Sequence, residues 1–194
     1  DFQFSRGIDI ASRSQGDVGK GTPLSRSSGK NNFSHFNLDT TYAVALDKNL
    51  EFNINTGGQL SLDDLLNSEQ SSITGPDKLS GFTSGSISGD ESWYFRGQLN
   101  YKKKLSNKLT LTPYVYGATG VSYTLTPTAT ENRATAARSI GLGLKMDGID
   151  NYFFDKNISA KVEYSKNWAT GVLEDVSDVR LNKQHLLVNL AMNF

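Results

Sequence analysis

The sequence predicts an all-β chain: a transmembrane antiparallel β-barrel with about eight strands in this chain. Three observations predict it. Apolar residues alternate with small or polar ones from end to end, tight turns alternate with long polar connections, and no stretch approaches the ~18 consecutive apolar residues of a membrane helix. A barrel in lipid shows its apolar character only at every second residue, so average hydropathy hides it.

The strands follow in order. Phe2, Phe4, Ile8 and Ile10 open the chain, with Gln3, Ser5 and Asp9 opposite. Phe36, Leu38, Tyr42, Val44 and Leu46 interleave with Asn37, Asp39, Thr41, Ala43 and Ala45, and Leu50, Phe52 and Ile54 with Glu51, Asn53 and Asn55. Trp93, Phe95, Leu99 and Tyr101 alternate with Tyr94, Arg96, Gln98 and Asn100. Leu109, Leu111, Val115, Val121 and Tyr123 mark the next strand, then Ile140, Leu142, Leu144 and Met146 against Gly141, Gly143 and Lys145. Ile158, Ala160, Val162 and Tyr164 interleave with Ser159, Lys161 and Glu163, and Leu186, Val188, Leu190, Met192 and Phe194 close the series. Period two over such lengths means strand.

Asp47 to Asn49 and Ser106 to Lys108 read as tight turns, whereas 11–33, 63–91, 125–133 and 169–183 are long and rich in Gly, Ser, Thr and Asp. The segment 147–157 fills the third short slot. Outer-membrane barrels place short turns in the periplasm and long loops outside, so both termini are expected on the periplasmic side. Trp93, Tyr123, Tyr152 and Trp168 near strand ends fit an interfacial aromatic girdle. The competing reading is a soluble barrel or sandwich, which would turn the same apolar face inward.

The inward set bears on closure. Gly7, Ala43, Ala45, Gly57, Ala118, Gly141 and Gly143, with Asn53, Asn55 and Asn189 between them, would leave voids or isolated polar groups in a narrow eight-stranded barrel. The first and last strands are therefore expected to pair with strands that this sequence does not contain.

Other chemistry finds little support. Lys+Arg 20 against Asp+Glu 20 removes the electrostatic case for a nucleic-acid partner, and Cys 0 excludes disulfides, thiol catalysis and Cys-ligated zinc. His35 and His185 lie in different strands, and the carboxylates at Asp63, Asp64, Glu69 and at Glu174, Asp175, Asp178 lack the spacing of a calcium loop. Gly141-Leu-Gly143 opens no helix, and no serine stands in a Gly-x-Ser-x-Gly frame. No enzyme, cofactor or metal is indicated.

Residues 57–99, GGQLSLDDLLNSEQSSITGPDKLSGFTSGSISGDESWYFRGQL, carry a series of motifs: Gly58-Gln59, Leu66, Ser68-Glu69-Gln70, Gly75-Pro76, Gly81-Phe82 and Ser88-Gly89-Asp90. In order and spacing they resemble the central signature of the two-partner-secretion outer-membrane transporters, the hemolysin-activator (ShlB/FhaC/HecB-like) family, which belongs to the BamA-related superfamily. The flanking FSRGIDIASRS, NNFSHFNLDTTYAVAL, RSIGLGLKM and NISAKVEYSKNW are similar to its neighbouring strands.

The resemblance implies a barrel in the bacterial outer membrane that secretes a partner exoprotein, of hemolysin or adhesin type, through its lumen. The segment Gly75 to Asp90 is implied to be a lumen loop received by a wall at Tyr116, Ala118 and Gly120. Leu186, Val188, Leu190, Met192 and Phe194 are implied to be the signal read by the barrel-assembly machinery. Two departures stand out: the family tip carries Arg where this chain has Ser80, and the family's receiving Asp is replaced by Ala118. The tip is accordingly expected to fold back with Phe82 near Tyr116 and Gly120, held by packing and neutral hydrogen bonds. An Arg at Ser80 and an Asp at Ala118 introduced together are expected to rigidify it more than additively.

By this resemblance the whole chain, 1–194, reads as the carboxy-terminal part of the barrel domain, the last eight strands and so half of the family's sixteen-stranded barrel, without the family's POTRA domains and plug helix. Implied partners are the secreted client, the assembly machinery, outer-membrane lipid, and the missing strands from the rest of the protein or a second chain. The alternative function is a self-contained eight-stranded barrel with a structural or adhesive role. A membrane-embedded hydrolase ranks third for want of a His/Ser/Asp constellation.

Overall fold

The computed structural model describes residues 1–8, 26, 28–30, 32–106, 109–127, 131–150, 157–172 and 179–192. Among these, every regular element is a strand: β1 (Phe2–Arg6), β2 (Ser34–Ala45), β3 (Leu50–Ser61), β4 (Ser71–Ser72), β5 (Ser88–Gly89), β6 (Glu91–Tyr101), β7 (Lys103–Lys104), β8 (Thr110–Tyr123), β9 (Ala134–Asp150), β10 (Asn157–Val172) and β11 (Val179–Met192). Eight of them form one antiparallel path, β1-β2-β3-β6-β8-β9-β10-β11, with β7 paired to β8. β4 and β5 make a separate two-stranded ladder inside the long β3–β6 connection. Among the described residues the path does not close, because β1 pairs only with β2, and β11 only with β10.

The two faces of the wall differ as the alternation predicts. Leu142 is 59% exposed, Leu190 71% and Val115 55%, and these side chains share one face with Trp93, Tyr123 and Trp168. Among the described residues no layer packs on that face, whereas a soluble sandwich or barrel needs its apolar stripe buried. The buried apolar cluster lies on the opposite face, where Ile73 and Leu79 from the β3–β6 connection meet Tyr94, Tyr114, Tyr116, Ala118, Ala137 and Ala169 from the wall.

Three strand limits differ from the alternation. β1 ends at Arg6, although Gly7 N still donates to Phe33 O at 2.9 Å. β9 begins at Ala134 rather than near Ile140, and β11 at Val179 rather than Leu186. The expected 169–183 connection thus includes paired backbone, Thr170↔Arg180 and Gly171↔Val179. Ladder hydrogen bonds need only backbone, so a strand runs on where side-chain alternation fades. Near the other end of β9, Gly148 adopts φ 80° beside a register shift between Ile158 and Ser159. A bulge of this kind calls for a residue free to enter the left-handed region. Ile10, Tyr152, Phe194 and the carboxylates Glu174, Asp175 and Asp178 lie outside the described residues.

Candidate functional site

The long connection leaves β3 at Ser61, whose hydroxyl donates to Asp63 O at 2.6 Å, and turns onto the inner face. Its apolar residues explain the turn, since Leu65, Ile73 and Leu79 are all 0% exposed and have only this face to bury against. Backbone hydrogen bonds Ile73 N to Ile87 O (3.0 Å) and Phe82 N to Leu79 O (3.2 Å) shape the hairpin and its tip. Lys78 Nζ donates to Ser72 O at 2.8 Å and lies over the Tyr94 ring, 4.7 Å from its centroid. Gly85, at φ 77°, supplies the left-handed residue of the return.

The tip ends against two charged wall residues. Ser80 Oγ donates to Glu163 Oε1 at 2.5 Å and accepts from Arg96 Nη1 at 2.6 Å. Arg96 Nη1 also donates to Lys78 O (3.1 Å), while Nη2 donates to Gln98 Oε1 (2.7 Å) and Glu163 Oε2 (3.4 Å), and Nε to Gln98 Oε1 (3.2 Å). All five guanidinium N–H groups therefore have acceptors. The plane of Arg96 lies over the Tyr116 ring at 3.7 Å from its centroid. Glu163 is reached in addition by the Tyr114 hydroxyl (2.6 Å) and by Lys161 Nζ (3.1 Å). Arg96 and Glu163 are each 1% exposed. Strands β6 and β10 are three spacings apart, about 14 Å on a flat sheet. Long side chains on a wall that curls toward this face close that gap.

The wall provides a floor for this contact. Tyr114 is paired across to Gly143 and Tyr116 to Gly141, and a Cβ at either glycine would run into the tyrosine ring opposite. The absent side chains let the rings lie along the wall, so that the Tyr114 hydroxyl reaches Glu163 and the Tyr116 hydroxyl meets Ser139 Oγ at 3.0 Å. The Ser139 hydroxyl in turn donates to Asn167 Oδ1 at 2.7 Å, which leaves Asn167 Nδ2 to donate to Gly81 O at 2.6 Å. Gly81 fits only because it lacks a Cβ, whose place is taken by the Asn167 amide. Between the tip and β9–β11 a cavity of about 640 Å³ remains, lined among others by Phe82, Thr83, Asn132, Thr135 and His185.

A second buried contact fixes the root of the loop. Asp90, 0% exposed, accepts from Arg26 Nη1 at 2.7 and 2.8 Å, from Leu65 N (3.1 Å), Leu125 N (2.8 Å) and Gln70 Nε2 (3.2 Å). Arg26 Nη2 donates to Thr126 O at 2.8 Å, so the β1–β2, β3–β6 and β8–β9 connections meet at one carboxylate. Burial pushes the Asp90 carboxyl up, but the hydrogen bonds from Arg26, Leu125, Gln70 and Leu65 outweigh it and hold the group below the usual carboxylate range.

The expected residues fall as follows. Gly75 and Pro76 form the turn after the β4 arm, with Pro76 exposed, Leu79 buried and Phe82 half-buried against the apolar cluster. Ser88 and Gly89 form β5, and Asp90 is the root carboxylate. Tyr116, Ala118 and Gly120 all face the loop, but the side chain against Gly120 is Ile73. Ala118 pairs directly with Arg96. Leu186, Val188 and Leu190 stand exposed on the outer face of the edge strand β11; the Met192 side chain and Phe194 lie outside the described residues. The expectation of a neutral contact is corrected. An ion pair is present, but both partners belong to the wall and the tip contributes a hydroxyl. Arg96, Tyr114, Glu163, Asn167 and Arg26 were not singled out by sequence. The signal for two of them was the inward phase of a lone Arg among neutral residues on β6 and of Glu163 beside Lys161 on β10.

A family model for the haemolysin secretion/activation proteins ShlB/FhaC/HecB matches residues 1–146, which span β1 to most of β9 and include the whole loop and Arg96. No curated protein and no solved structure gives a match. With three quarters of its length matched, and with the motif series of residues 57–99 inside the match, the chain belongs to the ShlB/FhaC/HecB haemolysin secretion/activation family.

Proposed function

We propose that the chain forms the carboxy-terminal half of an outer-membrane transporter barrel that secretes an exoprotein through its lumen, with the 62–90 loop as its gate. The observation that carries this reading is the loop itself, fastened at its tip to a polar inner face and at its root to a neighbouring connection. A loop so placed obstructs a lumen and has to move for a polypeptide to pass. No bond is made or broken; the wall supplies a wet passage, and folding of the client outside supplies direction.

Lipid on the outer face agrees with the exposed apolar side chains. On β6, Trp93 and Tyr101 share that face eight residues apart. That is about 27 Å along the strand, or about 21 Å of height at a tilt of about 40°, against an apolar band of about 25 Å. The unpaired edges of β1 and β11 fit strands supplied by the rest of the transporter better than a self-closed small barrel. The barrel-assembly machinery is the partner proposed for the β11 edge.

The test is a comparison of culture medium from cells carrying the full-length protein with medium from cells lacking its gene. The expected result is loss of a large secreted polypeptide that returns on complementation. An unchanged set of secreted proteins would contradict the proposal.

A further inference from the structure

Arg96 and Glu163 are arranged as an incomplete fork. A guanidinium and a carboxylate normally meet through two parallel N–H···O bonds. Here one arm is direct, Nη2 to Oε2 at 3.4 Å, and the other is interrupted by the Ser80 hydroxyl, which accepts from Nη1 at 2.6 Å and donates to Oε1 at 2.5 Å. Everything the tip gives to this pair ends on those two atoms, since the other acceptor of Nη1 is Lys78 O on the same loop segment. Departure of the tip thus frees one donor nitrogen and one acceptor oxygen that already face each other. The rest of the cage stays behind with the wall: Gln98 on Nη2 and Nε, Tyr116 under the guanidinium, Tyr114 and Lys161 on Glu163.

Resting on the transporter reading above, we propose that Arg96 and Glu163 form a two-position latch. With the tip in, Ser80 occupies one arm of the fork; with the tip out, both arms close directly. The wall then holds no orphaned charge in either state, which matters because a buried charge stripped of its partner is among the costliest defects a protein can carry. The tip departs as a neutral hairpin, giving up the Ser80, Lys78 and Gly81 hydrogen bonds and its apolar packing, but no charge of the pair. The carboxylate serves the closed and the open state alike, whereas the Ser80 hydroxyl serves the closed state alone.

That asymmetry is testable in planar bilayers with the full-length protein, reading the ratio of open to closed time. Ser80→Ala is expected to raise it about tenfold, the effect of a hydrogen bond to charged groups. Glu163→Gln weakens both states and is expected to raise it less than Ser80→Ala does. The paired variant Arg96→Gln with Glu163→Gln, which removes the charge pair together and is the less prone to misfold, is expected to rank the same way. Ser80→Thr, which keeps the hydroxyl, is expected to restore wild-type gating. If Glu163→Gln or the paired variant opens the channel as much as Ser80→Ala or more, the pair is a clasp for the closed state only and the latch is wrong. If the wild-type protein gives no gated conductance at all, the transporter reading fails first.

Discussion

The tip and the root of the same loop are each held by a buried arginine and a carboxylate, yet the two contacts are built oppositely. At the root, Arg26 and Asp90 both belong to connections between strands and bond directly at 2.7 and 2.8 Å, with backbone N–H groups completing the carboxylate's shell. At the tip, both charges sit on strands and the loop inserts only a hydroxyl. Breaking the root separates two directly bonded charges and leaves Arg26 only the longer contact of its Nε to Glu131 Oε2 at 3.7 Å. Breaking the tip separates none. One loop thus combines a permanent anchor with a releasable end, as a hinged gate requires.

The largest expected effect is at the anchor. Asp90→Ala leaves the buried Arg26 with only its longer contact to Glu131 and should cost about 3 kcal/mol, read as a lowered midpoint of barrel unfolding in denaturant. Acid should act in the same direction. Because the folded-state value of Asp90 lies below its unfolded value, its stabilisation is fully present above the ordinary carboxylate range and is lost as pH falls through the folded value. Unfolding midpoints followed downward from pH 6 should fall more steeply in wild type than in Asp90→Asn.

Next come the glycines of the tip and its floor. Gly81→Ala displaces the Asn167 amide, and Gly143→Ala displaces the Tyr114 ring that reaches Glu163. Overpacking of this kind costs about 1–3 kcal/mol. Because it falls on the tip contacts, a cysteine at Thr83 should label faster with a membrane-impermeant maleimide in both variants. The comparison breaks if Gly81→Ala slows labelling.

A smaller effect separates the relocated ion pair from the arrangement that the family resemblance implies. Ser80→Arg sets a second guanidinium beside Arg96 and should loosen the tip, raising Thr83Cys labelling. Ala118→Asp, on the strand position paired with Arg96, should draw that guanidinium from Glu163 and loosen it as well. The double variant should label more slowly than the sum of the two changes predicts.

The sequence revealed some of this and not the rest, for physical reasons. The motif series from Gly58 to Asp90 was enough to identify the family, and the phase of each strand gave the two faces, Arg96 inward included. What alternation cannot give is which inward residues meet. Arg96 and Glu163 are 67 positions apart and sit on different rungs, so their contact depends on the stagger and curl of four strands. The inward Gly141 and Gly143 read as empty space in one dimension. In three dimensions they are the bed for Tyr116 and Tyr114, one strand away. The ends of β9 and β11 escaped notice because backbone pairing continues where the apolar pattern stops.

The central claim, that the loop tip rests on the inner wall, is tested most directly by a single engineered bridge. The chain has Cys 0, so a Gly81→Cys, Asn167→Cys pair has no competing thiol within it. A Cβ at Gly81 would lie 2.5 Å from Asn167 Cγ, so the two positions are in direct contact, as a disulfide requires. In the full-length protein in cells, mild oxidant should form this bridge efficiently, close the channel and stop secretion, with recovery on adding reductant. A folded barrel in which the two cysteines stay free under the same oxidant would contradict the account.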